Sequence, residues 1–395
     1  MILFIDKYGH YLAALVVLLI GVFVSGNFPV DAAYHRGADE GNYYQQAKLL
    51  TASGTTGFQQ IATIFIQTPG LHDTPHPLRL GSMVVSALFI HFHDAFSMLS
   101  LLSLSSFLLL LISTYLFIAT YWGKTRAFFT LLLLAASPIE LGMARCALMD
   151  SLALMSCALS LFTFIRMLDT GRLLFVILFT LFFVFAIEVK ETAVLLFPFY
   201  GMVLMYLKLT RQTPMTWTAI GVSLICPVLF SGLIYLSVYG WEQTIAIVNI
   251  IKEPSPYSSL YGQGPWYRYL MDYMMVSPYI LLLSIGFLGA FFASDTKDLR
   301  VLLLVLLAVY LLFTYGLLSK NLRYCLLLDI PIRFFAASML LLMLNKAANY
   351  RYLFLIGIIF LICFDLWQFH FYFIENQLYD TISYNFLAIN HIIPR

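Results

Sequence analysis

Charge is what this chain has least of. Lys, Arg, Asp and Glu make up 11% of its 395 residues, while 61% are hydrophobic, with 35 Phe and 25 Tyr among them. A soluble domain carries roughly 25% charged residues, so this composition excludes one. The alternating segments that a membrane β-barrel needs are missing as well. Cysteine is sparse. Cys146, Cys157, Cys226, Cys325 and Cys363 lie in or beside apolar runs and form no Cys-x-x-Cys pair, so they read as small packing residues, not as metal ligands or a disulfide framework. No repeat at a solenoid period and no low-complexity segment beyond the apolar bias is present. The net charge of +2 points to no partner by itself, and a nucleic-acid partner is not expected.

What is present is a succession of long apolar runs from end to end, which predicts one polytopic, all-α membrane domain over 1–395 with no soluble domain at either end. The first run has no small-residue cleavage site, so it is expected to remain as an anchor. Residues 79–93 pose the one ambiguity. They amount to about 22 Å of helix against a hydrocarbon core of about 30 Å. If they do not cross, the spans are about 9–28, 95–122, 127–144, 147–167, 173–189, 192–207, 215–239, 273–292, 300–318, 324–344 and 352–368. The short loops on the N-terminal side then collect Lys7, Lys124, Arg126, Arg166, Arg172, Lys208, Arg211, Lys297, Arg300, Lys346 and Arg351, with only Asp6, Asp169, Asp295 and Asp298 against them. This is the positive-inside pattern, and it inverts if 79–93 crosses. The expectation is therefore about eleven transmembrane helices, N-terminus in the cytoplasm and C-terminus outside, with 79–93 an interfacial or re-entrant helix. Two external segments are long, 29–94 and 240–272, and the second is rich in Pro, Gly and interfacial aromatics.

The remaining charges sit at the outer ends of the spans, where they are expensive and usually line a cavity. Asp39 and Glu40 open a helix-like segment in which Tyr43, Ala47 and Leu50 form one apolar stripe. His76 and Arg79 follow. Arg145 and Asp150 flank the turn between the third and fourth spans, and Glu188, Lys190 and Glu191 interrupt the apolar stretch 173–207. Lys320, Arg323 and Asp329 begin the tenth span, with Arg333 deeper. Carboxylates can act as general bases or hold a divalent cation. Arg and Lys at an interface can bind a lipid-borne phosphate, Arg through a bidentate fork. Together they suggest an outward-facing site for an anionic lipid. Each residue also has a plain structural role open to it. Asp39 can cap its helix and Glu40 complement the helix dipole. Asp150 can pair with Arg145, Lys190 can be satisfied by Glu188 and Glu191, and Arg323 can snorkel to headgroups. His72, His76, His91 and His93 have no zinc-like spacing and suit a surface loop.

Five motifs, in order, carry a resemblance: Asp39-Glu-Gly-Asn-Tyr-Tyr-Gln-Gln-Ala, Thr74-Pro-His-Pro-Leu-Arg79, Ser137-Pro-Ile-Glu-Leu-Gly-Met-Ala-Arg-Cys-Ala-Leu-Met-Asp150, Lys190-Glu-Thr-Ala and Asn321-Leu-Arg-Tyr324. The pattern covers most of the chain and resembles the GT-C superfamily of polyprenyl-phosphate-dependent glycosyltransferases, in the branch of protein O-mannosyltransferases and lipid A aminoarabinose transferases. It departs from that branch at His76-Pro-Leu-Arg79, which has one proline where relatives often have two adjacent ones.

The resemblance implies a GT-C-like bundle with interfacial helices in the first external loop. It also implies transfer of a single sugar from a polyprenyl-phosphate donor to the hydroxyl of a glycan, lipid or protein acceptor, with inversion, on the outer face of a bacterial inner or plasma membrane. On the same basis Asp39, with Glu40 and Asp150, would be catalytic, while Lys190, Arg323, Arg145, Arg79, His76 and Tyr324 would meet the donor phosphate. No cofactor is certain, and a divalent metal could take part. Two other readings use the same charges. A lipid-linked glycan ligase or polymerase would want a larger late external loop than 240–272, and a lipid-linked sugar flippase would want charges near the bilayer midplane and related halves.

Overall fold

The computed structural model describes residues 2–29, 39–253, 265, 267–295, 297–315, 321–346 and 351–393. Parts of both expected external segments (30–38, 254–264 and Trp266) and Lys320 lie outside the described residues. Almost everything described is helix, because a chain this apolar satisfies its backbone polar groups most economically within each segment. In order, the helices are α1 (Ile2–Ser25), α2 (Asp39–Ser53), α3 (Thr56–Gln67), α4 (Leu80–Phe92), α5 (Ser97–Trp122), α6 (Lys124–Ala135), α7 (Pro138–Arg145), α8 (Asp150–Thr170), α9 (Leu173–Val189), α10 (Leu196–Leu209), α11 (Trp217–Lys252), α12 (Arg268–Val276), α13 (Pro278–Phe292), α14 (Leu299–Tyr315), α15 (Asp329–Lys346), α16 (Arg351–Phe369) and α17 (Ser383–Ile389). Short 3₁₀ turns at Glu191–Leu195 and Leu322–Leu328 lead into α10 and α15. Among the described residues there is no strand, only a single bridge between Asn321 and Ile382.

This is an integral, multi-pass membrane protein. The eleven expected spans all fall on helical segments, 127–144 on two helices and 273–292 on parts of two. Among the described residues seven helices are long and apolar enough to cross, and α6 and α7, bent by 60° at the break before Pro138, together have the length and composition of an eighth. Helices α9, α13 and α14 are shorter apolar helices at the positions of the remaining three, and α4 matches the short segment expected at 79–93. The polar composition of 29–78 suggests loop outside the helix-like segment that Asp39 and Glu40 open, yet α3 occupies part of it, since Ile61, Ala62 and Phe65 recur at helical spacing among its Thr and Gln residues. Residues 241–252 of the expected second external segment are also helical. They continue α11 past a kink at Gly240, whose φ of 72° lies in the region that favours glycine.

The chain divides into two compact units. One holds 1–27, 108–143 and 260–395; the other holds 28–107 and 144–259. In the second unit α8 is central, with 78% of its apolar window buried, and α11 is peripheral, with 22% buried. Helices α8 and α9 join through Gly171, left-handed at φ 60°, whose N–H returns to Met167 O at 2.9 Å and ends α8. Phe164, Phe179, Phe183 and Tyr200 pack between these helices and α10, and the Tyr200 hydroxyl is spent on Ser160 Oγ at 2.8 Å. A second cluster of Leu50, Ile61, Phe65, Leu80, Met83, Tyr239 and Ile247 knits α2, α3, α4 and α11. In the first unit the span Leu322–Lys346 is central, with 89% buried, against 22% for α1.

Candidate active site

The second unit gathers most of the predicted site. Helix α2 starts at Asp39, so Asp39 and Glu40 occupy its first turn, where the helix dipole favours acids. The buried stripe of α2 is Glu40, Tyr43, Ala47 and Leu50, so the apolar stripe of the sequence begins with a carboxylate. Glu40 is fully buried and its Oε1 accepts the Ala147 N–H at 2.6 Å, in the turn between α7 and α8. It also lies within electrostatic reach of Arg145. Asp39, one step round the helix, is only partly buried.

The proline-rich segment 74–79 is pinned from two sides. Gln46 Nε2 donates to Pro75 O at 2.8 Å, and the Tyr239 hydroxyl donates to Pro77 O at 2.7 Å. That fixes His76 and Arg79. Arg79 forks onto Glu191, Nε to Oε2 at 2.7 Å and Nη2 to Oε1 at 2.8 Å, and its Nη1 donates to the Tyr43 hydroxyl at 2.6 Å. His76 Nε2 lies 3.1 Å from Glu191 Oε2. Burial works against the Arg79 charge, but Glu191, Tyr43 and Asp39 outweigh it and hold its pKa well above the ordinary value. Burial raises the Tyr43 phenol well above its usual range. Arg79 opposes that shift, and the charges of Asp39, Asp150 and Glu191 reinforce it.

Lys190 ends α9 in an extended conformation, φ −154° and ψ 118°, which lets consecutive side chains diverge. Its ammonium donates to Asp150 Oδ1, while Glu191 turns to Arg79. Lys190 and Asp150 are both buried. The structure thus pairs Asp150 with Lys190, forty residues along the chain. Asp39, Asp150, Arg79 and Glu191 all act electrostatically on one phenol, so α2, the 74–79 segment, the start of α8 and the end of α9 converge on one polar cluster. Tyr44 and Lys48 close the other side of α2 by holding Asp94, at 2.8 and 3.0 Å.

Arg323 and Tyr324 belong to the first unit. Arg323 is not extended as a snorkelling side chain. It is 8% exposed, with its guanidinium over the rings of Tyr324 and Tyr379 and Nη2 3.8 Å from Asp380. Asn321 Oδ1 and Thr381 Oγ1 both accept the Arg323 N–H, which anchors the turn. Deeper in that unit Arg333 is fully buried. Its Nε donates to both Asp329 oxygens at 2.9 Å, and its Nη1 to Asp365 Oδ2 at 2.7 Å and Leu133 O at 2.6 Å. Tyr273 donates to Asp329, and Ser277 donates to Asp365 Oδ1 at 3.1 Å.

Among the described residues no three His, Cys, Asp or Glu side chains converge as a metal site needs. Two residues of the second-unit cluster were hidden in the sequence. Tyr43 looks like part of an apolar stripe, and Glu191 looks like a flank of Lys190. Asp365 could have been found, because it is the lone acid in an apolar run and an intramembrane carboxylate needs a partner.

No family model matches the chain, and no curated protein matches it. Solved structures do. The crystal structure of ArnT from Cupriavidus metallidurans in the apo state is similar at a TM-score of 0.56 and 16% identity, over 83% of this chain and 59% of that one. The crystal structure of the same ArnT bound to undecaprenyl phosphate is similar at 0.58 and 15% identity, over 84% of this chain and 59% of that one. The chain therefore spans about 59% of the length of the structures it matches. At this identity the likeness is one of fold: over the matched length the protein shares the polytopic helical architecture of these structures.

Proposed function

We propose that this protein is a glycosyltransferase that moves a single sugar from a polyprenyl-phosphate donor to an acceptor hydroxyl on the extracytoplasmic face. The observation that carries this reading is the convergence of Asp39, Asp150, Lys190, Arg79 and Glu191 around Tyr43 in a chain with the fold of ArnT. That relative was crystallised with undecaprenyl phosphate, and a lipid phosphate of this class is the donor proposed here.

In the proposed reaction Asp39 accepts the proton of the acceptor hydroxyl as its oxygen attacks the anomeric carbon. The bond from that carbon to the phosphate oxygen breaks, and its electron pair leaves with the lipid phosphate. Attack opposite the leaving group inverts the anomeric centre. Asp39 suits the base because it is the more accessible of the paired acids; Glu40 is committed to the Ala147 N–H and serves to fix α2. Lys190, preorganised by Asp150, and Arg145 neutralise the departing phosphate, a role that fixed charges fill without reorganisation. His76 borders the same cluster. Arg79, forked onto Glu191 and bonded to Tyr43, acts as a positioning residue for that hydroxyl. Arg323 and Tyr324 keep a donor-phosphate role on the motif resemblance alone.

Transfer of labelled sugar from purified polyprenyl-phosphate donors tests the proposal. Asp39→Asn should reduce turnover by about 10²–10⁴-fold, the usual share of a general base, with an unchanged melting temperature. Full activity in that variant would remove Asp39 from the chemistry, and no transfer by the wild type across a panel of lipid-phosphate sugars would overturn the function.

A further inference from the structure

The first unit holds a pocket unrelated to these motifs, with charged and apolar side chains in its lining. It has a volume of about 500 Å³, within the range of small-ligand sites. One wall carries Trp122, Arg126, Lys297 and Asp298. The floor is apolar, made by Phe287, Phe291, Val301 and Leu342.

The charges on that wall do not cancel. Asp298 is already spent: Oδ2 accepts Trp122 Nε1–H at 2.8 Å, Oδ1 accepts the Arg300 N–H at 2.8 Å, and the Arg300 guanidinium lies 3.9 Å away. Arg126 feels Asp298 electrostatically, but its Nε is buried with no hydrogen-bond partner among the described residues. A buried guanidinium nitrogen without a partner is costly, so a further anion at this place would stabilise it. Lys297 adds a second cation on an exposed side chain.

We propose that this pocket binds the phosphate headgroup of an anionic membrane lipid between Arg126 and Lys297, with the first part of an acyl chain on the Phe287, Phe291 and Leu342 floor. Two cations alone would suit any soluble phosphate. The apolar floor joined to them suits an amphiphile, and basic pockets between membrane helices take anionic headgroups on this physical basis. Arg126, in the first turn of α6, and Lys297 belong to the side whose basic excess predicts a cytoplasmic location, where the leaflet is anionic.

Native mass spectrometry of the full chain, equilibrated with equal amounts of phosphatidylglycerol and phosphatidylcholine of identical chains, tests this. Wild type should retain phosphatidylglycerol preferentially. Arg126→Gln and Lys297→Gln should each reduce that retention about fivefold, as expected for one cation near a headgroup. Ala290→Trp, which places an indole in the pocket, should abolish retention with both cations intact. Lys297 is exposed, so its variant remains informative if Arg126→Gln fails to fold. Equal retention of the two lipids by wild type, or full retention by a folded Lys297→Gln variant, would overturn the proposal. Displacement of the lipid by millimolar inorganic phosphate together with no effect of Ala290→Trp would identify a free-phosphate site and overturn the lipid assignment.

Discussion

Each unit holds a cation–carboxylate network, around Arg333 in one and around Lys190 and Arg79 in the other, and the two are built differently. The Arg333 network of the first unit is closed. The guanidinium is fully buried and meets Asp329, Asp365, Ser277 and a backbone carbonyl at once. The second-unit network is graded. Lys190 and Asp150 are buried, the Glu191 side chain is 34% exposed, and Asp39 opens the helix above them. A buried ion pair is weak evidence of net stability, yet breaking one by removing a single partner is strongly destabilising. A closed network therefore behaves as a brace. An open one leaves a part-exposed acid beside its cation, which is what the proposed reaction requires.

The sharpest way to break that distinction is Arg333→Met. It leaves Asp329 and Asp365 buried without their cation and should cost about 3–5 kcal/mol, read as loss of monodisperse folded protein in detergent. If the variant folds normally and loses only transfer, the brace assignment fails. Lys190→Gln comes next. It should lower stability by about 3 kcal/mol, because Asp150 stays buried without the Lys190 ammonium, and should lower transfer as well. Pairing it with Asp150→Asn should restore the melting temperature but not the transfer, which a purely structural pair would not do. Glu191→Gln is milder, since the amide still accepts one bond from Arg79. A destabilisation of about 1–2 kcal/mol is expected, with a rise in the apparent KM if Tyr43 orients a substrate.

The smallest effect concerns Asp272, in α12 ahead of the apolar helix α13. Burial pushes its carboxyl up to about 6, against the bond from Ser383 and the nearby Arg268 charge. A pKa raised on folding means the folded state binds the proton more tightly. The stability it contributes is present at low pH and lost as pH rises through about 6. Between pH 7 and pH 5 the wild type should gain about 1 kcal/mol relative to Asp272→Asn, measured as the difference between their thermal melts.

Much of this was legible in the chain. Span positions follow from apolar length, because lipid demands internally bonded segments of fixed reach. The acids of α2, the proline-rich segment and Lys190 could be found because charge in such a composition is costly enough to need a reason. The partners were less visible. Asp150 pairs with Lys190, forty residues away, because α9 ends in an extended residue that points the ammonium toward the start of α8. Tyr43 reads as apolar by spacing, since a phenol's hydroxyl shows its role only when a donor such as Arg79 arrives from another segment.

What the sequence alone determined is the solvent and the class: a multi-pass helical membrane protein whose charges are few and placed at helix ends. Both are set by composition and run length, which are local. The tertiary structure alone decided which acid each cation meets. Lys190 to Asp150, Arg79 to Glu191 and Arg333 to Asp329 and Asp365 depend on where turns aim side chains at distances of a few ångströms, and a one-dimensional pattern does not encode that.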